Sequence, residues 1–356
     1  MSKPDWIPWE EAAGPDWDAF VEVHPHGRFI HLSGFKKTVE DVYGLKANYW
    51  LFRDGGGIRA VFPSFFHRAF VTGRKLISQP FSEYGGILFA TDAGPAERRA
   101  ILSGLPRLVE ESRKKGRMAY LEIRGFPDLA EDERGMFQEI RMCERAVLPL
   151  DPALRLWDRI DYSVRKNVRR ARASGLELRV LKSPEDIRRI FYPLHLRSLR
   201  RLGSPPHPPD YFLKNHENLA GRMRIMTAWL GGRPVGALLG WVVGRSVQIT
   251  DIASDERFFA HRAPDLLHFE LIDWAQGQGC RLFDFGPVRY EGQRRYKKKW
   301  GVELHAYAHY CYPARMGGAP LSDQTLPVRA ARALWRFVPS GLAARFGRRL
   351  RRELAI

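Results

Sequence analysis

The same order of elements is written twice in this chain, in units longer than a solenoid repeat, and that points to a duplicated domain. In the first half, Tyr49 to Phe52 and Ala60 to Phe66 are rich in aromatic and branched residues and flank Arg53-Asp54-Gly55-Gly56-Gly57, the pattern of a hairpin with a glycine turn. In the second half, Met226 to Leu230 and Val235 to Val243 flank Gly231-Gly232-Arg233-Pro234. Further strand patterns follow each hairpin: Lys75 to Gln79 and Gly86 to Phe89 in the first half, Val247 to Ala253 in the second. Helical spacing comes next, Pro95 to Lys115 with Ile101, Leu105, Leu108 and Val109, and Pro264 to Gln278 with Leu267, Leu271, Ile272 and Ala275. A glycine and a strand close both units, Gly116 to Ile123 and Gly279 to Phe285. The fold class expected is α/β, two tandem domains of related fold with mixed central sheets.

A length of 356 residues leaves room for about two domains. Leu148-Pro149-Leu150-Asp151-Pro152 reads as a connector, which gives domains at 1–150 and 151–315. The second opens with a helix from Leu156 to Ser174, closed by Gly175, then a helix from Pro184 to Leu202 and a proline-rich loop. Ala314 to Gln324 reads as a linker, so that 316–356 form a linker and tail. In the tail, Val328, Ala331, Leu334, Trp335, Val338, Leu342, Phe346, Leu350 and Leu354 recur every three or four residues, and Pro339 splits the pattern into two short amphipathic helices. From Leu326 onward eight arginines face one acid, Glu353, a net of +7. Such helices lie in a headgroup plane, and 326–356 are expected to bind an anionic membrane surface.

A composition of 44% hydrophobic residues excludes wholesale disorder, and no apolar run approaches the roughly 20 residues that span a bilayer. The opening Met-Ser-Lys-Pro-Asp-Trp lacks the apolar core of a secretory signal, so the expected location is cytoplasmic, peripheral at the inner face of the membrane. Cys143, Cys280 and Cys311 are too scattered for a disulfide framework or a zinc site, and no metal is expected. The net charge of +18 favours polyanionic partners. Besides the tail, the excess gathers at Arg165, Lys166, Arg169, Arg170 and Arg172 and at Arg294, Arg295, Lys297, Lys298 and Lys299.

This ordering of hairpin, helix and strand resembles the GNAT acyltransferase fold, and its duplication resembles the FemAB-like family, whose well-known members transfer amino acids from charged tRNA to a cell-wall peptide precursor. The pieces that carry the resemblance are Arg165-Lys166-Asn167-Val168-Arg169-Arg170-Ala171, Tyr296-Lys297-Lys298-Lys299-Trp300-Gly301 and Pro80-Phe81-Ser82-Glu83-Tyr84-Gly85-Gly86, within roughly residues 20 to 315. The resemblance implies that Lys297, Lys298 or Lys299 contacts the acyl donor. It also implies that Lys37, after Phe29 to Phe35, meets a diphosphate of the acceptor.

Other candidates come from the residues themselves. Arg165, Arg169 and Arg172, at i, i+4 and i+7, share a helix face and could grip successive phosphates. If the stretch from Arg294 stays extended, Lys297 and Lys299 point the same way. Asp251 among Ile249, Thr250 and Ile252, and Asp284 in Leu282-Phe283-Asp284-Phe285, are strand carboxylates able to accept an amine proton. Glu83, Tyr84 and His207 are weaker substrate-binding candidates. Coenzyme A-dependent enzymes of the fold use a glycine-rich phosphate loop, but Asp255 to Pro264 contains no glycine.

The expected function is N-acyl or N-aminoacyl transfer to an amine of a cell-envelope precursor or lipid at the cytoplasmic membrane face. No cofactor is expected to be tightly bound, and the acyl donor is left open among aminoacyl-tRNA, acyl carrier protein and acyl-CoA; the acceptor is expected to be anionic. The alternatives are a lipid N-acyltransferase using acyl-CoA or acyl carrier protein, and a non-catalytic RNA-binding or envelope-assembly module that retains the fold.

Overall fold

The computed structural model describes residues 5–355 except 56, 71–72, 115–117, 126–128 and 314–325, and of 326–329 only the backbone. The expected linker 314–324, Gly56 of the first turn, Lys115, Gly116 and Arg117 lie outside the described residues, as does the side chain of Val328. In chain order the first elements are β1 (Asp5–Pro8), α1 (Gly14–Val23), α2 (Ser33–Tyr43), β2 (Lys46–Ala47), β3 (Trp50–Asp54), β4 (Gly57–Phe62), β5 (Phe65–Ala69), β6 (Gly73–Ile77) and β7 (Leu88–Phe89). Next come α3 (Pro95–Ser103), α4 (Leu105–Lys114), β8 (Tyr120–Arg124), β9 (Gln138–Pro149), α5 (Leu156–Arg159), α6 (Tyr162–Ala173), β10 (Glu177–Leu181), α7 (Pro184–Asp186), α8 (Tyr192–Leu202) and α9 (Pro209–Asn218). The chain continues with β11 (Met223–Leu230), β12 (Arg233–Val243), β13 (Ser246–Ser254), α10 (Ala263–Gly277), β14 (Leu282–Val288), α11 (Glu291–Lys298), β15 (Glu303–Tyr312), α12 (Leu326–Trp335) and α13 (Ser340–Leu354).

Contacts divide the chain into two compact units, Met1–Cys143 with Ala306–Pro320 and Arg349–Ile356, and Glu144–His305 with Leu321–Arg348. The expected boundaries at 150 and 315 shift because two strands change units along their length. β15 pairs with β8 from His309↔Arg124 to Tyr312↔Leu121, which places it in the first unit. The end of β9 pairs with β14 from Glu144↔Val288 to Pro149↔Leu282, in the second. The tail is likewise shared out rather than forming a third body.

Each unit contains a parallel strand pair joined by helix: β6 with β8 through α3 and α4, and β13 with β14 through α10. A parallel pair needs such a crossover, whereas the neighbouring antiparallel strands connect by tight turns. The duplicated order seen in the sequence is this motif. In the second unit it sits in the strand order β10-β11-β12-β13-β14-β9. In the first unit the hairpin β3–β4 belongs to a separate sheet, β1-β3-β4-β7, because Pro63 and Ser64 break the long strand into β4 and β5. In β12, Gly236 and Gly240 face α10: added Cβ atoms would lie 3.3 Å from Ala263 and 3.0 Å from Leu271. Their missing side chains let Leu267, Leu271 and Ile272 reach the sheet and enter the core.

Three expected elements differ in detail. The helix from Pro95 breaks at Gly104, where a Cβ would come within 2.8 Å of the Trp6 ring. The helix from Leu156 breaks before Asp161, which caps α6 by accepting from the Ser163 amide. The segment expected as an extended Lys297–Lys299 strand is α11, because Tyr296 and Trp300, four residues apart, pack with His268 and Phe285 on one helical face. The tail helices fall as expected around Pro339, but Ala343, Gly347 and Ala355 are buried. A Cβ on Gly347 would lie 2.6 Å from the Pro206 carbonyl oxygen, and that of Ala355 accepts from the Phe81 amide (3.1 Å) and Arg124 Nη1 (3.0 Å). Deleting residues 326–356 would therefore uncover core and not simply detach an anchor.

Buried histidines make the fold acid-sensitive. Burial, with nearby cationic Arg28, lowers His31 to about 3; burial also lowers His67, His309 and, in the second unit, His268 to about 4. Each folded value lies below the unfolded one, so the unfolded chain binds more protons and stability is full above about pH 6.5 and lost as pH falls toward 4. We expect the unfolding free energy to fall by up to about 1.4 kcal/mol per pH unit for each such histidine across that window. Urea midpoints at pH 7.5, 6.0 and 5.0 measure this, and a flat profile contradicts it.

Candidate functional site

The parallel pairing of β13 with β14 lasts three residues, Ser246↔Leu282, Val247↔Phe283 and Gln248↔Asp284. Both strands continue, β13 to Ser254 paired with β12, and β14 to Val288 paired with β9. Beyond Gln248 the facing edges have no ladder to each other, which opens a notch inside the second unit.

Asp251 lies on β13 in the stretch that runs past the parallel ladder. A bulge in β13 leaves Thr250 without a β12 partner, between Ile249↔Gly240 and Asp251↔Leu239. Thr250 is exposed, and its Oγ1 accepts from buried Trp241 Nε1 (3.0 Å) and donates to Asp251 Oδ2 (2.8 Å). Asp251 Oδ1 lies 3.0 Å from His195 Nδ1 on α8, and the Asp251 side chain keeps 15% of its surface accessible. A carboxylate held through both oxygens yet reachable can receive a proton or bind an ammonium group. His195 and Thr250 gave no signal in the sequence: the histidine is 56 residues from Asp251, and the bulge is a matter of register.

Asp284, also expected as a proton acceptor, is fully buried and ion-paired, Arg145 Nη2 lying 2.7 Å from Oδ2 while Oδ1 accepts from the Gly286 amide. Its counterpart in the first unit is Glu122, the third residue in register of that parallel ladder, which pairs with Lys75 and Arg124. Burial works against the Glu122 carboxylate, yet Lys75 and Arg124 hold it well below the usual carboxylate range. Both acids serve their cores.

Lys297 has a similar fate. Its Nζ donates to the carbonyls of Phe285 (2.7 Å), Gly286 (3.1 Å) and Pro287 (2.7 Å), so it secures the open end of β14 and has no extended strand to share with Lys299. Lys298 and Lys299 are exposed. Arg165, expected to grip phosphate, donates to the carbonyls of Trp157 (3.1 Å) and Ile160 (2.8 Å) and so closes α5. Arg169 is exposed and rests over the Trp157 ring, and Arg172 pairs with Glu270. His207 is buried, stacked flat on Tyr211 with centroids 3.8 Å apart. In the first unit Lys37 is exposed on α2, Tyr84 is buried edge-on to Tyr307, and the Tyr307 hydroxyl lies 3.4 Å from Glu83 Oε2. A depression of about 380 Å³ over Asp54, Gly57, Ile58, Arg59 and Glu97 belongs to the first unit and is bridged by Arg59, which pairs with Glu97 and Asp92.

The segment Asp255 to Pro264, expected to lack a phosphate loop, is closely tied to its own side chains. It winds into a 3₁₀ helix (Glu256–His261) tied down by Asp255, which pairs with Arg257 and Arg197. At the start of α10, Pro264 has no N–H, and the amides of Asp265 and Leu266 donate to the Arg262 carbonyl. Asp265, hydrogen-bonded by Asn167 and buried, adds its own acidic group at that helix end.

Residues 159–298, which include the notch, match the family described as "Acetyltransferase (GNAT) domain". The second unit is therefore built on a GNAT acyltransferase domain. Over most of its length the chain shares the fold of FemX (TM-score 0.67, 14% identity, 86% of this chain and 97% of that one). It is also similar to the tandem GNAT protein from the clavulanic acid biosynthesis pathway (0.54, 12%, 87% and 98%) and to L-PGS from Bacillus licheniformis (0.51, 13%, 82% and 89%). Identities this low establish the fold, a FemX-like tandem GNAT fold, in agreement with the two α/β domains read from the repeat. No curated protein matches the chain.

The ion pair of Arg145 with Asp284 supplies a test that separates structure from chemistry. Asp284→Asn leaves a buried guanidinium without its counter-ion and is expected to cost about 3–5 kcal/mol of stability. Denaturant unfolding measures the loss, and an Asp284→Asn protein as stable as the wild type contradicts it.

Proposed function

We propose that the protein is an N-acyltransferase that moves an aminoacyl group from charged tRNA to an amine of an envelope precursor or lipid at the inner membrane face. The observation that carries this reading is Asp251, held by His195 and Thr250 at the open edge of β13 within the GNAT-matching residues. A net charge of +18 suits a polyanionic donor, and the α10 N-terminus offers poor ground for coenzyme A. The fold is shared with FemX and with the C-terminal domain of a putative lysylphosphatidylglycerol synthetase from Agrobacterium fabrum, whose name describes an aminoacylated phospholipid.

In this mechanism the amine nitrogen bonds to the ester carbonyl carbon of the donor. Asp251 takes the nitrogen's proton as the C–N bond forms, because that nitrogen turns strongly acidic on bonding to the carbonyl. Collapse of the tetrahedral intermediate breaks the carbonyl–oxygen ester bond, and the departing hydroxyl regains the proton. Backbone N–H groups on the unpaired edge of β13 offer donors to the oxyanion. Lys297 acts indirectly, by holding β14 away from β13.

The tail supports the membrane location. Leu334, Phe337, Leu342 and Phe346 are exposed, and exposed Arg336, Arg345, Arg348 and Arg349 stand among them. On α13, Leu342, Arg345, Phe346 and Arg349 follow helical i, i+3, i+4, i+7 spacing on one face, while Ala343 and Gly347 pack inward. Apolar side chains among guanidinium groups suit an anionic bilayer surface, each basic residue adding up to about 1 kcal/mol.

Two experiments test the proposal. Radiolabelled aminoacyl-tRNA, acyl carrier protein and acyl-CoA donors are offered with amine-bearing phospholipid vesicles or cell-wall peptide precursor. Transfer from aminoacyl-tRNA is expected, with Asp251→Asn lowering kcat by about 10²- to 10⁴-fold at a similar acceptor KM; no transfer by the wild type, or full activity of the variant, overturns the reading. In co-sedimentation with vesicles containing phosphatidylglycerol, the wild type is expected to pellet at low salt and the exposed-face variant Leu342→Asp, Phe346→Asp to stay in solution. Equal behaviour of the two proteins removes the tail from the membrane contact.

A further inference from the structure

The geometry assigns His195 as the positioning residue of the Asp251 carboxylate, an inference that rests on the proposed transfer reaction. His195 is 1% exposed, and its ring is enclosed by Phe212 (edge-on, 4.8 Å between centroids), Phe191 (5.8 Å) and Tyr192 (6.1 Å). Nδ1 meets Asp251, while Nε2 is buried without a hydrogen-bond partner among the described residues. Buried His31 and His67 also leave one ring nitrogen unpartnered, but their other nitrogen meets backbone, whereas that of His195 meets a carboxylate.

The helix bearing His195 is built to aim it. Between α7 and α8 the backbone winds one π-turn, Ile187–Phe191, which inserts an extra residue and rotates everything after it by about 100°. Without the insertion the residue at this depth would face elsewhere. Pro193 lacks an N–H within this continuous helix, so the irregular turn lies where the regular bonding is already interrupted, and Ser198, one turn beyond His195, fixes the helix to β13. Its Oγ accepts from the Ser254 amide (2.9 Å) and donates to the Ser254 carbonyl (3.3 Å). The distance from imidazole to carboxylate is therefore set by a helix pinned to the same strand that carries Asp251.

The tautomer follows from chemistry. An ionised carboxylate only accepts, so Nδ1 carries the hydrogen that it shares with Asp251. Nε2 has no acceptor among the described residues, so the hydrogen of the tautomer that satisfies the ring belongs on Nδ1. His195 and Thr250 thereby grip one carboxylate oxygen each and fix its plane. His195 is remote from substrate and acts through Asp251.

Asparagine and glutamine discriminate this role from simple packing, because the Asn amide nitrogen can stand where Nδ1 stands and that of Gln reaches toward Nε2. With the full-length protein and an aminoacyl-tRNA donor, His195→Leu and His195→Gln are expected to lower kcat at least about tenfold with acceptor KM little changed, and His195→Asn to recover most of the rate. In an Asp251→Asn background none of the three should lower kcat further. Equal losses for the Asn and Gln variants, tracking their losses of stability, overturn the assignment. A readout that needs no substrate keeps it separate from the proposed function: ¹⁵N–¹H correlation of His195 in the wild type at pH 7.5. Nδ1–H with a bare Nε2 supports the inference even if no donor is turned over, and Nε2–H with a bare Nδ1, or a doubly protonated ring, overturns it.

Discussion

Backbone polar groups in a sheet must find partners, and in the second unit the parallel pairing between β13 and β14 stops after three residues although both strands run on. The rest of the site depends on that interruption. A notch between strands is costly unless its carbonyls and amides are satisfied from elsewhere, and Lys297 does this for β14 by spending its ammonium on three successive carbonyls. At the last paired position Asp284 is neutralised by Arg145, which keeps the closed end of the pair dry. On the opposite strand the bulge at Thr250 shifts the register, and Asp251 meets His195 of α8. Removing the lysine would favour collapse of β14 toward β13, and removing the bulge would turn Asp251 to the other face of the sheet.

The first unit puts a parallel pairing of the same length to another use. Its parallel pair also carries an acid at the third register position, Glu122, but Lys75, Arg124 and His309 crowd around it. The Arg124 guanidinium reaches the carbonyls of Ser82, Gln79 and Ala355, so the cluster ties together the loop after β6 and the end of the chain. Duplication gave two copies of one scaffold, and the charges in the first have been used to hold it shut.

Much of the fold was legible because it rests on spacing. Strand patterns separated by glycine turns, and the leucine rows of α4 and α10, are local signals, and they marked the repeat and the tail helices. The site was less legible, since its members meet through register and helix phase. His195 reaches Asp251 only because a π-turn rotates α8, and no residue type announces that turn. Lysine and arginine were over-read for the opposite reason: a run such as Tyr296 to Trp300 hides helical aromatic spacing beneath its charge, and Arg165, which looked free to bind phosphate, completes the hydrogen bonding of a helix end. Asp251 and Asp284 were indistinguishable as strand carboxylates until burial and partners separated them.

The central claim is that acyl transfer takes place where β13 and β14 part. Amide hydrogen exchange, measured by mass spectrometry with and without a non-hydrolysable aminoacyl-tRNA in which an amide replaces the ester, tests it most directly. The account predicts slowed exchange in Ile249 to Ser254 and in Phe285 to Val288 when the analogue is bound, since the edge amides there lack a ladder across the notch. Binding of the analogue that protects only other segments, and leaves both stretches exchanging as in the free protein, would contradict it.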